Sequence, residues 1–285
     1  MTAQVFDDRP CFLGEGAFWH PERAQLFWFD ILAGRLLSRV GQKPLEWQIG
    51  QMASAAAWVD AEALVISTET GLRRFDIATG AHEPLIGIEA DRNETRCNDG
   101  RADPMGGFWV SSMGKHAEAK AGAIYRYYGG AVELLFPEIT IPNSICFAPD
   151  GRRAYFADTA EGRIMTVSLD ADGWPDASPD VFVDLTAQGL NPDGAQTDCE
   201  GALWSAQWGA GRVARYLPDG RFDRAIALAG RHCSCPAFGG LTFETLFVTT
   251  AREGMETPDA GQGVIYQAPA GVAGRAEPAL RLCAR

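Results

Sequence analysis

Asn191-Pro192-Asp193-Gly194-Ala195-Gln196-Thr197-Asp198-Cys199-Glu200-Gly201-Ala202-Leu203-Trp204 reads as a turn carrying a carboxylate, a short run, a second turn and the start of an aromatic strand. Alone this is a β-hairpin signal, with Pro, Gly, Asn and Asp as punctuation around residues that favour strands. Its weight comes from repetition. Strand-like runs recur at Leu26-Phe27-Trp28-Phe29-Asp30, Ala63-Leu64-Val65-Ile66-Ser67 and Phe108-Trp109-Val110-Ser111-Ser112. They continue at Ala154-Tyr155-Phe156-Ala157-Asp158, Leu203-Trp204-Ser205-Ala206-Gln207 and Leu246-Phe247-Val248-Thr249-Thr250. The spacing, roughly 38 to 48 residues, is that of a four-stranded propeller blade.

A second strand follows a glycine turn in each copy, starting at Gly34, Gly71, Gly122, Gly162, Gly211 and Gly263. Hairpin turns such as Pro149-Asp150-Gly151 and Cys199-Glu200-Gly201 precede several of the runs. No long amphipathic helix and no linker interrupts the series. Six units, none able to bury its faces alone, predict an all-β, six-bladed β-propeller over residues 1–285 as a single domain.

Composition agrees. The chain has 285 residues, 46% of them apolar, and its 32 glycines are spread as an all-β fold with many turns requires. A net charge of -12, with no run among the 25 Lys and Arg residues, argues against a nucleic-acid partner. No stretch approaches the ~18 apolar residues of a membrane helix. The start, Met1 to Pro10, has neither the basic nor the apolar part of a signal peptide, so a cytoplasmic protein is expected. Seven scattered cysteines without a C-x-x-C pair read as buried free thiols.

Counting back six residues from the turn before each strand lands on Glu15, Ser54, Asn98, Asn143, Asp193 and Pro236. In a propeller this is where the innermost strand begins, at one mouth of the channel, so Glu15, Asn98, Asn143 and Asp193 are expected to converge. Two carboxylates and two amides form a set of hard oxygen donors, suited to Ca²⁺, Mg²⁺ or Mn²⁺, with Zn²⁺ and Fe²⁺ also able to accept carboxylates. Each of these residues alone is equally an ordinary turn residue. Four in register form a less accidental pattern. No G-x-S-x-G elbow, H-E-x-x-H helix or phosphate-binding loop offers other chemistry.

The chain resembles the SMP-30/gluconolactonase family. The resemblance is carried by Leu13-Gly14-Glu15-Gly16-Ala17-Phe18-Trp19, Arg96-Cys97-Asn98-Asp99-Gly100, Ile141-Pro142-Asn143-Ser144 and Pro192-Asp193-Gly194. Phe238-Gly239-Gly240 and Thr249-Thr250-Ala251-Arg252-Glu253-Gly254 extend it over residues 13 to 255. It implies a six-bladed propeller that hydrolyses a sugar lactone to its aldonic acid with one divalent cation, of Ca²⁺, Zn²⁺, Mg²⁺, Mn²⁺ or Fe²⁺. The metal ligands it implies are Glu15, Asn143 and Asp193, with Asp193 also the general base, and Arg96 and Asn98 would hold the substrate. A monomer or weak homo-oligomer is expected.

Two positions depart from the family pattern: Ser144 stands where many members have Gly, and Gly114-Lys115-His116-Ala117-Glu118 stands where some relatives place acidic residues. Trp19 or Trp208 could stack a sugar, and His116 could overhang the channel mouth. The alternatives are an organophosphate or other ester hydrolase on the same propeller, or a non-enzymatic calcium-binding propeller.

Overall fold

The computed structural model describes residues 3–283. Within it, 24 strands form six four-stranded antiparallel sheets. The innermost strands of blades 1 to 6 are Gly14–His20, Ala53–Asp60, Thr95–Ala102, Pro142–Phe147, Asn191–Thr197 and His232–Gly239. Blades 1 to 5 are continuous in sequence. Blade 6 is completed by the N-terminal strand Gln4–Asp7, which pairs with Ile265–Pro269 as its outer edge. This exchange closes the ring and removes a free edge between the first and last units.

The strand alternation explains why the units need one another. In Gln25–Asp30, Phe27 and Phe29 face blade 2, while Leu26 and Trp28 face blade 6. In blade 3, Phe108 and Val110 join the core shared with blade 2, and Trp109 joins the core shared with blade 4. Each sheet therefore buries both faces, and an apolar cluster occupies each of the six blade interfaces. Trp28, Trp109 and Trp204 are fully buried in these layers.

The repeat was expected to place the channel-mouth residues in one register, and strand pairing corrects that. Every innermost strand carries a β-bulge near its start. Glu15 and Asn143 are the last paired residues before their bulges, opposite Phe29 and Ala157. Asn98 and Asp193 come one residue later, after the pairs Cys97–Ser112 and Pro192–Gln207. In blade 6 the bulge follows Cys233, so Ser234 holds the place of Asp193, and Pro236 lies beyond the bulge opposite Val248. A one-residue slip in a flat strand would turn a side chain to the other face. The extra bulge residue absorbs the slip and lets both sets point into the channel mouth.

The far end of the channel is shut by the C-terminal segment. Cys199 N donates to Ala273 O (2.9 Å), Arg275 Nη1 to Pro149 O (2.7 Å), and Trp58 Nε1 to Glu277 O (2.8 Å). The Glu277 carboxylate enters the channel, paired with Arg101 and accepting from Gln196 Nε2 at 2.6 Å. No described helix is long and apolar enough to cross a membrane. The cysteines form no disulfide, and five are buried as expected; Cys199 and Cys283 are exposed instead, in a surface turn and in the C-terminal segment.

Candidate functional site

Glu15, Arg96, Asn98, Asn143 and Asp193, drawn from four blades, line one cavity of about 610 Å³ at the mouth where the inner strands begin. Ser54 and Pro236 are not among its walls. A hollow of similar size, about 620 Å³, lies on the opposite face between the turns of blades 1 and 2, and none of the predicted site residues reaches it.

The local backbone is built to present these side chains. Asp30, at the end of the second strand of blade 1, accepts from Phe12 N (3.0 Å) and Leu13 N (3.1 Å), which fixes the chain entering Glu15. Asp158 repeats the device in blade 4, accepting from Thr140 N (2.8 Å) and Ile141 N (3.0 Å) just before Asn143. After each of these residues the chain turns left-handed: Gly16 at φ 57° and Ser144 at φ 58°. Gly meets that requirement freely, whereas Ser144 does so at a cost. The Ser144 hydroxyl donates to the backbone oxygen of Asp193, and the Ser234 hydroxyl to that of Gly14.

Asn98 bridges its neighbours. Its Oδ1 accepts from Arg96 Nη1 (2.8 Å), and its Nδ2 donates to Pro142 O (2.9 Å) and Asn143 Oδ1 (3.1 Å). Arg96 is buried and forms no ion pair among the described residues, so the surface pair that Glu94 could have offered does not form; Glu94 pairs with Arg92. Arg96 Nη1 also donates to Cys97 O at 2.8 Å, while its Nε is buried without a hydrogen-bond partner among the described residues.

Three buried carboxylates gather here. Burial, then the neighbouring Asp99, pushes Glu15 up to about 8, and burial followed by Glu15 and Asp99 holds Asp193 well above the usual carboxylate range. Arg96 pulls both down without restoring ordinary values. Asp99, which the residue pattern did not single out, sits in the bulge beside Asn98 and accepts from Gly100 N (2.8 Å) and Ile145 N (2.7 Å). Burial raises it too. Its signal in the sequence was only its place next to Asn98. Arg96 and Arg101 oppose these three carboxyls, yet burial outweighs them and all three stay raised. Among the described residues no three His, Cys, Asp or Glu side chains form a metal cluster, so the oxygen donors here are two carboxylates joined by amide oxygens.

The remaining walls include Lys115, His116, Thr159, Trp208 and Glu253. Lys115 Nζ pairs with Glu69 Oε2 at 2.9 Å, which ties the loop of blade 3 to blade 2. His116 is exposed at the rim, and Trp208 stacks on His232 with ring centroids 4.3 Å apart. Trp19 does not reach the cavity; it is buried between blades 1 and 6, stacked on Phe247 at 5.5 Å.

Fold and site together define a six-bladed propeller with an oxygen-lined, acidic pocket at one channel mouth. The chain belongs to the SMP-30/gluconolactonase/LRE-like family, whose profile matches residues 13–252. It is 37% identical over 279 residues to a Rhizobium meliloti protein provisionally named a sugar lactone lactonase, covering 95% of this chain and 94% of that one. It is 34% identical over 250 residues to the L-arabinolactonase of Azospirillum brasilense, covering 85% and 82%. Among solved structures, the calcium-binding protein regucalcin of Agrobacterium tumefaciens superposes with a TM-score of 0.95 at 38% identity, covering 99% of this chain and 98% of that one.

Proposed function

We propose that this chain is a lactone-hydrolysing enzyme that opens a sugar lactone to its aldonic acid, using a divalent cation held by Glu15, Asn143 and Asp193. The observation that carries the reading is the buried pair Glu15 and Asp193 at the wall of a cavity of sugar size: two adjacent carboxyls, both raised by burial, and neither in an ion pair among the described residues. Hard oxygen donors of this kind suit Ca²⁺, Mg²⁺ or Mn²⁺, and carboxylates also accept Zn²⁺ and Fe²⁺. Lactonase relatives and a calcium-binding structural relative support the same class.

A bound cation supplies Lewis acidity toward the lactone carbonyl and a lower pKa for water. The protein's part is positional and acid–base. Asp193 takes a proton from the attacking water as its oxygen bonds to the carbonyl carbon. The bond from that carbon to the ring oxygen then breaks, and Asp193 returns the proton it took to the ring oxygen, which leaves as a hydroxyl while the base is restored. Arg96, whose guanidinium is a fork of donors, lines the cavity and holds the carbonyl or a sugar hydroxyl, and Asn98 fixes Arg96 in place while lying against the same ligand.

The test is acid release from a panel of aldono-γ- and δ-lactones, crossed with Ca²⁺, Mg²⁺, Mn²⁺, Zn²⁺ and Fe²⁺, with a phosphotriester in parallel. Cation-dependent turnover of at least one sugar lactone above the phosphotriester rate is expected. Normal cation binding with no turnover of any lactone overturns the reading.

A further inference from the structure

The amide of Asn143 can offer a cation its oxygen or turn its NH₂ outward, and only the first makes it a ligand. Its Nδ2 donates to Thr159 Oγ1 at 2.8 Å, and Thr159 Oγ1 donates onward to Pro192 O at 2.7 Å. A hydroxyl has one proton. With that proton committed to Pro192, Thr159 can only accept from Asn143, so the NH₂ group must face Thr159 and the oxygen must face away. Thr159 is itself held by the turn: its N–H donates to Ile141 O at 3.0 Å, and Asp158 accepts from Ala160 N at 3.1 Å.

Blade 1 supplies an internal comparison. Asp30 there corresponds to Asp158, and the next residue is Ile31, whose N–H donates to Leu13 O at 3.0 Å. Glu15 carries two equivalent oxygens and has no amide to orient. The hydroxyl appears in the blade whose site residue has two different ends, and a hydrocarbon side chain in the blade where the ends are alike. The same hydroxyl also reaches Pro192, the residue before Asp193, so one atom links two site residues of different blades.

We infer that Thr159 is a positioning residue that, together with Asn98 Nδ2 donating to Asn143 Oδ1 at 3.1 Å, commits Asn143 to presenting its amide oxygen and couples it to the Asp193 strand; this rests on the cation reading above. Such outer partners of metal ligands typically matter about 10- to 100-fold in metal affinity. The experiment titrates Mn²⁺, and in parallel Ca²⁺, into metal-free wild type, Thr159→Val, Thr159→Ala and Thr159→Ser, reading free ion directly and the thermal midpoint in chelator. Thr159→Val and Thr159→Ala are expected to bind roughly 10- to 100-fold more weakly, and Thr159→Ser, which keeps the hydroxyl, to stay near wild type. Undiminished affinity in Thr159→Val, or a loss in Thr159→Ser equal to that in Thr159→Val, overturns the inference while leaving the cation site standing. If wild type binds neither ion, the cation reading fails first and this inference falls with it.

Discussion

The Ser144 hydroxyl donates to the backbone oxygen of Asp193, so the residue following one proposed ligand holds the strand that carries another. Ser144 does this from a left-handed backbone at φ 58°, where a non-glycine residue costs on the order of 1 kcal/mol or more. Ser144→Ala loses the hydrogen bond and keeps the strain, while Ser144→Gly loses the bond and relieves the strain. Urea unfolding should place Ser144→Ala about 1 kcal/mol below wild type. Ser144→Gly should then lie about 1 kcal/mol above Ser144→Ala. The reverse order would mean that the left-handed turn carries no strain.

Asp193→Asn removes the group proposed to accept the water proton, and lactone turnover should fall by about 10²- to 10⁴-fold. The same change removes one of two adjacent buried acids, and with it the carboxyl that burial and repulsion from Glu15 hold above its usual range. In chelator at alkaline pH the variant should melt no lower than wild type. A protein that loses both turnover and stability would point to a structural role for Asp193 instead.

The pH dependence of the metal-free protein has a definite sign. Glu15 is held at about 8 in the folded protein against an ordinary 4.5, and Asp193 is shifted the same way. The folded state therefore binds more protons than the unfolded state between those values. This contribution to stability is fully present below 4.5 and is lost as pH rises through 8. Melting in chelator should shift to lower temperature across that window, and saturating cation should flatten the trend because it replaces the proton. A midpoint that rises from pH 5 to 8 in chelator would contradict the assigned burial of the pair.

Much of this molecule was legible in its sequence because propeller blades are local: each hairpin repeats its turn chemistry, and Phe27, Trp109 and Trp204 mark strands that must be covered on both sides. The same regularity explains why counting from a turn brought Glu15, Asn98, Asn143 and Asp193 to one mouth. It failed for Pro236, since a bulge is visible only in strand pairing and the turn before blade 6's second strand offers no matching anchor. Thr159, Ser144 and Asp99 act through contacts to another blade's backbone, which neither motif nor period records. The closure of blade 6 by Gln4–Asp7 joins segments from opposite ends of the chain, and no local signal announces it.

The C-terminal segment lies outside the residues matched by the family profile, yet it places Glu277 against Arg101 inside the channel. Both side chains are buried, and Arg101 Nε also donates to Ile145 O at 3.2 Å beneath the site. Removing one partner of a buried pair leaves the other charge uncompensated, typically at about 3–5 kcal/mol, whereas replacing both with apolar groups of similar volume is often far less costly. Glu277→Ala should therefore destabilise by about 3 kcal/mol or more in urea. The double variant Arg101→Met, Glu277→Leu should recover a large part of that loss. Because Gln196 also donates to Glu277 at 2.6 Å, some deficit should persist in the double variant as an unpaired amide. If Glu277→Ala is as stable as wild type, the tail is held by its backbone contacts to the blade turns, and the charge pair contributes nothing to closing the channel.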